Sequence, residues 1–258
     1  MPNTALITGA SSGIGKEFAR YHAKLGGDVI ITARRKESLE ALKAELEAEH
    51  RIKAHVIAAD IGQDKGVETL IKAIEKAGLR VDILINNAGF GGHGLHVERP
   101  LSDEMGMIDL NVKSLVTLTH VFANKMVEQG GGKILNVGST AGFAPGPNQA
   151  VYFATKAFVN SYSQAIDHEL RSKGVSCTVL APGYVETEFA QTANLEGTAM
   201  VKAGGATAES VAKHGYDAMM AGKLLTINDR RLSFMLNWIV PFMPRRMALK
   251  VIGDSQTK

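Results

Sequence analysis

The stretch Thr8-Gly9-Ala10-Ser11-Ser12-Gly13-Ile14-Gly15 joins a short apolar run to a segment with helical periodicity. The run before it, Thr4–Thr8, has the length and composition of a buried strand. In the segment after it, from Ile14 to Leu25, apolar side chains return every three or four residues, and two glycines follow. A strand, a glycine turn and an amphipathic helix in this order predict the first half of a βαβ unit.

The same alternation continues to about residue 180. The predicted strands are Thr4–Thr8, Val29–Ala33, Ala54–Ala59, Ile83–Asn86, Ile134–Val137 and Val175–Leu180. The predicted helices are Ile14–Leu25, Leu39–Glu49, Val67–Lys76, Asp103–Glu128 and Ala150–Lys173. Because the strand runs are continuously apolar, both faces of the sheet should be covered by helices. The sequence therefore predicts an α/β, doubly wound Rossmann fold with a central parallel sheet, as a single domain.

Composition excludes several classes of protein. The 258 residues carry a net charge of only +3, with basic residues scattered among acids, so nucleic-acid binding is not expected. A single cysteine, Cys177, excludes an intramolecular disulfide. The chain enters a strand pattern at once, so we expect no signal or transit peptide and a cytoplasmic location. No cluster of carboxylates or cysteines joins His93 and His96, so we expect them to be loop residues and expect no metal site.

The turn after the first strand has the setting of a dinucleotide-binding site. Glycines let the backbone approach a pyrophosphate, and the helix N-terminus and serine hydroxyls offer donors to its charge. Its spacing is Gly-x-x-x-Gly-x-Gly, and the candidate contact residues are Gly9, Ser11, Ser12, Gly13, Ile14 and Gly15. Taken alone, such a turn often has only a packing role.

The end of the second strand indicates which dinucleotide binds. An acid there hydrogen-bonds an adenosine ribose, whereas arginine accommodates a 2′-phosphate. This chain has Ala33-Arg34-Arg35, and the nearby Asp28 precedes the predicted strand, at the wrong end of the sheet. Arg34, with Arg35 in support, therefore favours NADP(H).

A second informative stretch is Ser139-Thr-Ala-Gly-Phe-Ala-Pro-Gly-Pro-Asn-Gln-Ala-Val-Tyr-Phe-Ala-Thr-Lys156. Tyr152 and Lys156 are four residues apart, which puts both side chains on one face of a helix. The ammonium of Lys156 should then favour the ionised phenol and lower the pKa of Tyr152. We expect Tyr152 to be a proton donor, with Ser139 holding the substrate oxygen.

Together with Asn86-Asn87-Ala88-Gly89 after the fourth strand, these motifs resemble the short-chain dehydrogenase/reductase family over about residues 4–227. The resemblance implies an NADP(H)-dependent oxidoreductase that interconverts a carbonyl and a secondary alcohol by hydride transfer, with Tyr152 as general acid/base. It assigns Lys156 a contact with the nicotinamide ribose. It also implies that Asn111 distorts its helix and holds a proton-relay water, and that the protein is a homodimer or homotetramer.

The resemblance also supplies further cofactor contacts. These are Asp60, Ile61, Asn87, Ala88, Gly89, Tyr152, Lys156, Pro182, Gly183, Val185 and Thr187. The following segment, Glu188 to Thr207, is interpreted as a mobile substrate lid, with a variable surface loop as the alternative. Apolar residues flank the catalytic segments, so the substrate pocket should be mostly apolar. They are Phe90, Phe143, Pro145, Pro147 and Tyr184.

We expect residues 1–227 to form the dinucleotide-binding and catalytic domain, and residues 228–258 to form an apolar, helical C-terminal extension of the same domain. Arg230-Arg231 and Arg245-Arg246 bracket the run Phe234–Met243, which is about half the length needed to span a bilayer. This run either covers a partner subunit or the substrate entrance, or lies on a membrane surface with Trp238 and the arginines among headgroups.

Two other functions keep the same fold. One is a non-catalytic NADP-binding regulator or scaffold, although the combination of Asn111, Ser139, Tyr152 and Lys156 argues against a pure binder. The other is an epimerase or dehydratase, which usually has a longer substrate domain. The motifs do not distinguish an acyl thioester ketone, a steroid-like ketone and a small aliphatic carbonyl as substrates.

Overall fold

The computed structural model describes residues 3–258. Nine strands follow one another along the chain: β1 (Thr4–Thr8), β2 (Asp28–Ala33), β3 (Ala54–Ala58), β4 (Ile83–Asn86), β5 (Gly132–Val137), β6 (Val175–Leu180), β7 (Val185–Glu186), β8 (Ala206–Thr207) and β9 (Leu225–Thr226). Seven of them pair in parallel to form one sheet in the order β3-β2-β1-β4-β5-β6-β9, while β7 and β8 form a separate short pair.

Helices connect the strands. They are α1 (Gly13–Lys24), α2 (Lys36–Glu49), α3 (Gly66–Lys76), α4 (Leu101–Ile108), α5 (Leu115–Glu128), α6 (Ala150–Arg171), α7 (Phe189–Thr192), α8 (Ala199–Lys202), α9 (Ala208–Met220), α10 (Arg230–Trp238) and α11 (Arg245–Ser255). Short 3₁₀ turns cover His96–Glu98, Thr140–Phe143 and Val240–Phe242.

Alternating side chains of β1 show how the layers are built. Ala5 and Ile7 belong to a buried cluster with side chains of α1, α2 and α9. Leu6, between them, belongs to a second cluster with side chains of α3 and α5. Since successive side chains of a strand point to opposite faces, the sheet is covered on both sides. This arrangement confirms the predicted doubly wound Rossmann fold.

The strand order reverses direction between β1 and β4. β2 and β3 lie on one side of β1, and Leu6 of β1 pairs with Ile30 of β2 and with Leu84 of β4. All strands are parallel, so their carboxyl ends share one edge, and the crevice at such a reversal is where open α/β sheets bind ligands. The predicted motifs follow β1, β2, β4 and β5 at this edge.

Several predicted boundaries were wrong. The helix predicted over Asp103–Glu128 is α4 and α5 joined by a π-helical turn, Asp109–Ser114. Asp28 is the first residue of β2 and does not precede it; its carboxylate accepts a hydrogen bond from the Lys53 amide at 2.8 Å. It still lies at the amino end of the sheet, away from the crevice. Residues 185–207 are mostly small or polar and show little periodicity, so the sequence did not predict α7, α8 or the β7–β8 pair there.

The C-terminal extension is helical, as predicted. Leu236 of α10 is buried against Ala181 and Ile227 of the main domain, with Leu232 and Val240 packed beside it. Among residues 3–258, no helix is both long and apolar enough to cross a membrane.

Candidate active site

The glycine turn at the end of β1 has no room for larger side chains. Gly9 and Gly13 have φ angles of +68° and +55°, a region that other residues rarely adopt. A Cβ on Gly15 would overlap the backbone carbonyl of Gly9 and the side-chain amide nitrogen of Asn87. The turn therefore presents bare backbone toward the crevice, which fits the close approach of a pyrophosphate.

Hydrogen bonds join the loop after β4 to this turn. Thr8 Oγ1 accepts hydrogen bonds from the amides of Asn87 and Ala88, each at 3.0 Å. Asn87 Nδ2 donates to Thr8 O at 2.9 Å. Asn87 thus ties the carboxyl ends of β1 and β4 together, and it holds Ala88 and Gly89 beside the crevice.

Two arginines lie at the end of β2, where the sequence places them. Arg35 donates to Ser12 Oγ at 2.7 Å and forms an ion pair with Glu188 at 2.9 Å. Arg34 is exposed, lines the same cavity and forms no ion pair within residues 3–258. Arg35 therefore bridges the glycine turn and the start of α7, a contact that the sequence did not indicate.

Ser139, Tyr152 and Lys156 converge on one wall of the crevice. Lys156 Nζ donates to Val137 O at 2.8 Å and lies 5.8 Å from the ring centroid of Tyr152. Ser139 follows β5, and its Oγ accepts from the Ala141 amide at 3.0 Å. All three side chains are buried, so the predicted hydroxyl, phenol and ammonium share a site with little water.

Asn111 lies behind this wall, in the π-helical turn. Its Oδ1 accepts from the Phe90 amide at 3.1 Å, and its Nδ2 donates to Phe90 O at 2.9 Å and to Thr155 Oγ1 at 3.1 Å. Thr155 Oγ1 in turn donates to Tyr152 O at 2.7 Å. The distortion implied for the Asn111 helix is present. Its role in a water relay stays a prediction.

One cavity of about 1160 Å³ connects these groups. The predicted contact residues that line it are Gly9, Ser11, Ser12, Gly13, Ile14, Arg34, Arg35, Asp60, Ile61, Asn87, Ala88, Gly89, Ser139, Tyr152, Lys156, Pro182, Gly183, Val185 and Thr187. Gly15 and Asn111 stand behind the lining. Residues 3–258 bring together no group of three or more His, Cys, Asp or Glu side chains that could hold a metal ion.

Residues 3–197 match the family model described as short chain dehydrogenase. The chain belongs to this family. The resemblance found in the sequence is therefore confirmed. The protein is an oxidoreductase that interconverts carbonyl and alcohol groups and binds a nicotinamide dinucleotide.

Known members of the family resemble this short-chain dehydrogenase closely. Sulfoacetaldehyde reductase of Chromohalobacter salexigens is 42% identical over 193 residues, which cover 73% of this chain and 75% of that protein. The structure of a short-chain dehydrogenase from Sphingobium yanoikuyae in complex with NADPH has a TM-score of 0.85 at 30% identity and covers 100% of this chain and 99% of that one. The 3-ketoacyl-(acyl-carrier-protein) reductase from Brucella melitensis complexed with NADH has a TM-score of 0.77 at 28% identity, covering 88% of this chain and 98% of that one.

The pKa values in this short-chain dehydrogenase correct one expectation. Burial raises the pKa of Tyr152 to about 12, against an opposing effect of the Ser139 side chain. Burial also lowers the pKa of Lys156 to about 8. The ammonium of Lys156 donates to Val137 O and not to the phenol of Tyr152. The predicted lowering of the Tyr152 pKa by Lys156 is therefore absent, and burial of the phenol sets the direction of the shift. At neutral pH the phenol holds its proton, as a donor to a carbonyl requires.

The apolar lining of the cavity was predicted only in part, and the role of the run Phe234–Met243 in it was one of several alternatives. Of the expected apolar residues, Phe90 and Tyr184 line it, whereas Phe143, Pro145 and Pro147 do not. The C-terminal extension supplies the remaining apolar lining: Leu232, Met235, Leu236, Ile239, Val240, Met243, Ala248, Val251 and Ile252. The apolar run Phe234–Met243 was the available signal, but periodicity alone could not show which surface it covers.

Hydrogen bonds hold the C-terminal residues against the start of α6, the helix that carries Tyr152 and Lys156. Gln256 is buried, its side chain accepts a hydrogen bond from Gln149 Nε2, and its carbonyl accepts one from His93 Nε2 at 2.6 Å. His93 thus joins the loop after β4 to the C-terminus, a contact more specific than the loop position predicted for it.

Proposed function

We propose that this short-chain dehydrogenase reduces a bulky, mostly apolar ketone with NADPH. The observation that carries the proposal is the apolar wall that α10 and α11 add to the cavity that Tyr152 also lines. This wall lies outside residues 3–197, which match the family model, so the family match alone does not define the substrate. A catalytic role is favoured over a regulator or scaffold because the hydroxyl, phenol and ammonium share one buried wall.

The residues have distinct roles in this proposal. Bound NADPH supplies the hydride. Tyr152 gives its proton to the carbonyl oxygen, and the Ser139 hydroxyl orients that oxygen by hydrogen bonding. Lys156 keeps a positive charge on the same wall at neutral pH because its pKa of about 8 lies above that pH. Asn111 holds the backbone of Phe90 and, through Thr155, the turn of α6 that carries Tyr152.

NADPH should bind better than NADH because two arginines and no acid directly follow β2 in the chain, and both arginines line the cavity. The guanidinium of Arg35 points to the serine hydroxyls of the glycine turn, and Arg34 is free of carboxylate partners within residues 3–258. A 2′-phosphate would replace Glu188 as the anionic partner of Arg35. Release of Glu188 would in turn free the first residues of the proposed substrate lid, Glu188 to Thr207.

The substrate should carry a polar group besides its carbonyl. Gln149 lines the cavity, and its buried Oε1 has no hydrogen-bond partner within residues 3–258. Buried oxygens are normally satisfied, so a ligand hydroxyl or amide is its natural donor. A steroid-like ketone with a second hydroxyl, or an acyl thioester ketone with an amide, meets this requirement better than a small aliphatic carbonyl.

Cofactor titration tests the dinucleotide preference. Arg34→Ala and Arg35→Ala should each weaken NADPH about 10- to 100-fold, because each removes a charge-assisted contact, and should change NADH much less. Lys36→Ala is the matched control, since Lys36 is the next exposed cation and does not line the cavity. Equal weakening of both dinucleotides would contradict the proposal.

An NADPH-consumption screen tests the substrate class. The purified protein would be given a hydroxysteroid-like ketone, a β-ketoacyl thioester and a short aliphatic ketone at matched concentrations. We expect the two large ketones to have the higher kcat/KM. A clear preference for the short ketone would contradict the apolar-substrate proposal while leaving the cofactor result intact.

Assembly and location stay predictions. The expected homodimer or homotetramer is checked by analytical ultracentrifugation of the full chain. The expected cytoplasmic location is checked by fractionating cells that produce it.

A further inference from the structure

The cavity reaches the surface at α10 and α11. Met235, Ile239 and Val251 line the cavity and yet are 46%, 44% and 54% exposed. Side chains that meet both conditions mark an opening. We call these three residues the mouth.

Large apolar side chains of the same segment, residues 230–255, are exposed without lining the cavity. Phe234, Trp238, Phe242 and Met247 are exposed, Trp238 by 68% and Phe242 by 81%. Phe234 and Trp238 are four residues apart in α10 and so lie on one face of that helix. None of the four lines the cavity. We call them the rim. A concentrated group of exposed aromatic and aliphatic side chains is typical of a docking surface.

The rim is bordered by unpaired positive charge. Arg230 and Arg231 open α10, and Arg245 and Arg246 open α11; all four are exposed and none forms an ion pair within residues 3–258. Residues 228–258 contain six Lys or Arg and two Asp, a net charge of +4, in a chain whose total is +3. The remaining residues therefore carry a net −1, and the positive charge of the protein is concentrated beside the mouth.

This charge distinguishes between two occupants. A second copy of the chain on a two-fold axis would bring two rims of like charge together, which opposes association. An anionic membrane can bury the apolar rim at the boundary of its hydrocarbon region, and its lipid phosphates can pair with the arginines. Tryptophan is also favoured at that interface.

We infer that the rim docks on an anionic membrane and places the mouth against the lipid. The contact is peripheral, because the helices that carry it are short. Resting on the proposed function, the inference adds that a lipophilic ketone enters the cavity from the bilayer and not from water. The rim and the cavity lining then form one continuous apolar path.

Trp238 makes the test direct because it is the only tryptophan in the chain. The full-length protein would be mixed with phosphatidylcholine vesicles and with phosphatidylcholine/phosphatidylglycerol vesicles. We expect a blue shift of the tryptophan emission and flotation with the anionic vesicles only. Both should be lost as salt rises, since screening shortens the reach of charge from about 10 Å at 0.1 M to about 3 Å at 1 M.

Two variants and a control separate the contributions. The combined substitution Arg230→Gln, Arg231→Gln, Arg245→Gln and Arg246→Gln should lower the partition coefficient about a hundredfold or more, because each cation contributes attraction near an anionic surface. Phe234→Ser with Phe242→Ser should also abolish flotation while leaving Trp238 as the probe. The control, Lys24→Gln, Arg51→Gln, Lys53→Gln and Lys76→Gln, removes the same charge from exposed positions before β2, β3 and β4, at the opposite edge of the sheet.

Three results would overturn the docking of the rim on an anionic membrane. Absence of flotation with anionic vesicles, or equal loss in the control variant, would overturn the inference. So would a wild-type dimer that becomes monomeric in the Phe234→Ser, Phe242→Ser variant without any vesicle binding, because the rim would then be a subunit interface. Flotation needs no turnover, so it is independent of the proposed function. A lower KM for a membrane-dissolved ketone on adding anionic vesicles, with no change for a water-soluble ketone, tests the entry path.

Discussion

Tyr152 and Lys156 show that burial, more than their mutual distance, sets their charge states. The phenol is buried and its pKa rises to about 12, while the ammonium is buried without an acidic partner and its pKa falls to about 8. Both groups are protonated at pH 7. This state suits carbonyl reduction, whereas alcohol oxidation needs a phenolate and should gain rate as pH rises.

Tyr152→Phe should abolish ketone reduction and leave NADPH binding nearly unchanged. The substitution removes only the phenolic oxygen, and a general acid usually contributes about 100- to 10,000-fold in rate. Stopped-flow turnover and NADPH titration measure the two effects. Tyr162→Phe, the same change further along α6, is the matched control and should keep full activity. A Tyr152 variant with more than half of the wild-type rate would refute the assigned role.

Lys156→Met should inactivate the enzyme and stabilise its fold. The fall in the Lys156 pKa from 10.5 to about 8 means that the buried charge lowers the free energy of unfolding by roughly 3 kcal/mol. Loss of the hydrogen bond to Val137 O offsets about 1 kcal/mol, which leaves a net gain of about 2 kcal/mol at pH 7.

The effect of Lys156 on the free energy of unfolding should depend on pH. A base whose folded pKa is depressed destabilises the fold fully below that pKa, and the penalty disappears as pH rises toward the unfolded pKa. The advantage of Lys156→Met in urea unfolding should therefore be constant below pH 8 and shrink between pH 8 and 10.5. An advantage that grew with pH would contradict the assignment.

At the scale of elements, the start of α1 depends on bare backbone. Gly15→Ala should destabilise the protein by about 1–3 kcal/mol or more, because a Cβ would overlap the fixed carbonyl of Gly9. Gly106→Ala should instead stabilise it by about 0.5–1 kcal/mol, since Gly106 lies in α4 and a Cβ there would meet only the tip of Phe90, at 3.4 Å. Urea midpoints of the two variants should move in opposite directions, and parallel movement would show that the turn is not tightly packed.

At the scale of the whole molecule, the C-terminal extension completes the cavity without building the dinucleotide site. Deleting residues 228–258 should raise KM for a bulky ketone about 10-fold or more, because it removes several apolar contacts of about 0.8 kcal/mol per buried CH₂. The NADPH Kd should change little, because its proposed contacts lie between Gly9 and Thr187. Deleting only the exposed Thr257 and Lys258 is the control, since it leaves the buried Gln256 in place. Unchanged KM after the long deletion would contradict the role of the extension.

Six of the seven strands of the main sheet, the glycine turn and the set of Ser139, Tyr152 and Lys156 could be predicted from the sequence, because periodicity and short spacings are properties of neighbouring residues. The seventh strand, β9, was missed because it has only two residues. Folding of the whole chain was needed to bring Arg35 to Glu188, 153 residues away, and to place α10 and α11 against the cavity. It also decided the direction of the Tyr152 pKa shift, where a spacing of four residues predicted a decrease and burial produced an increase. Burial is the sum of contacts from segments far apart in the chain, so no local pattern contains it.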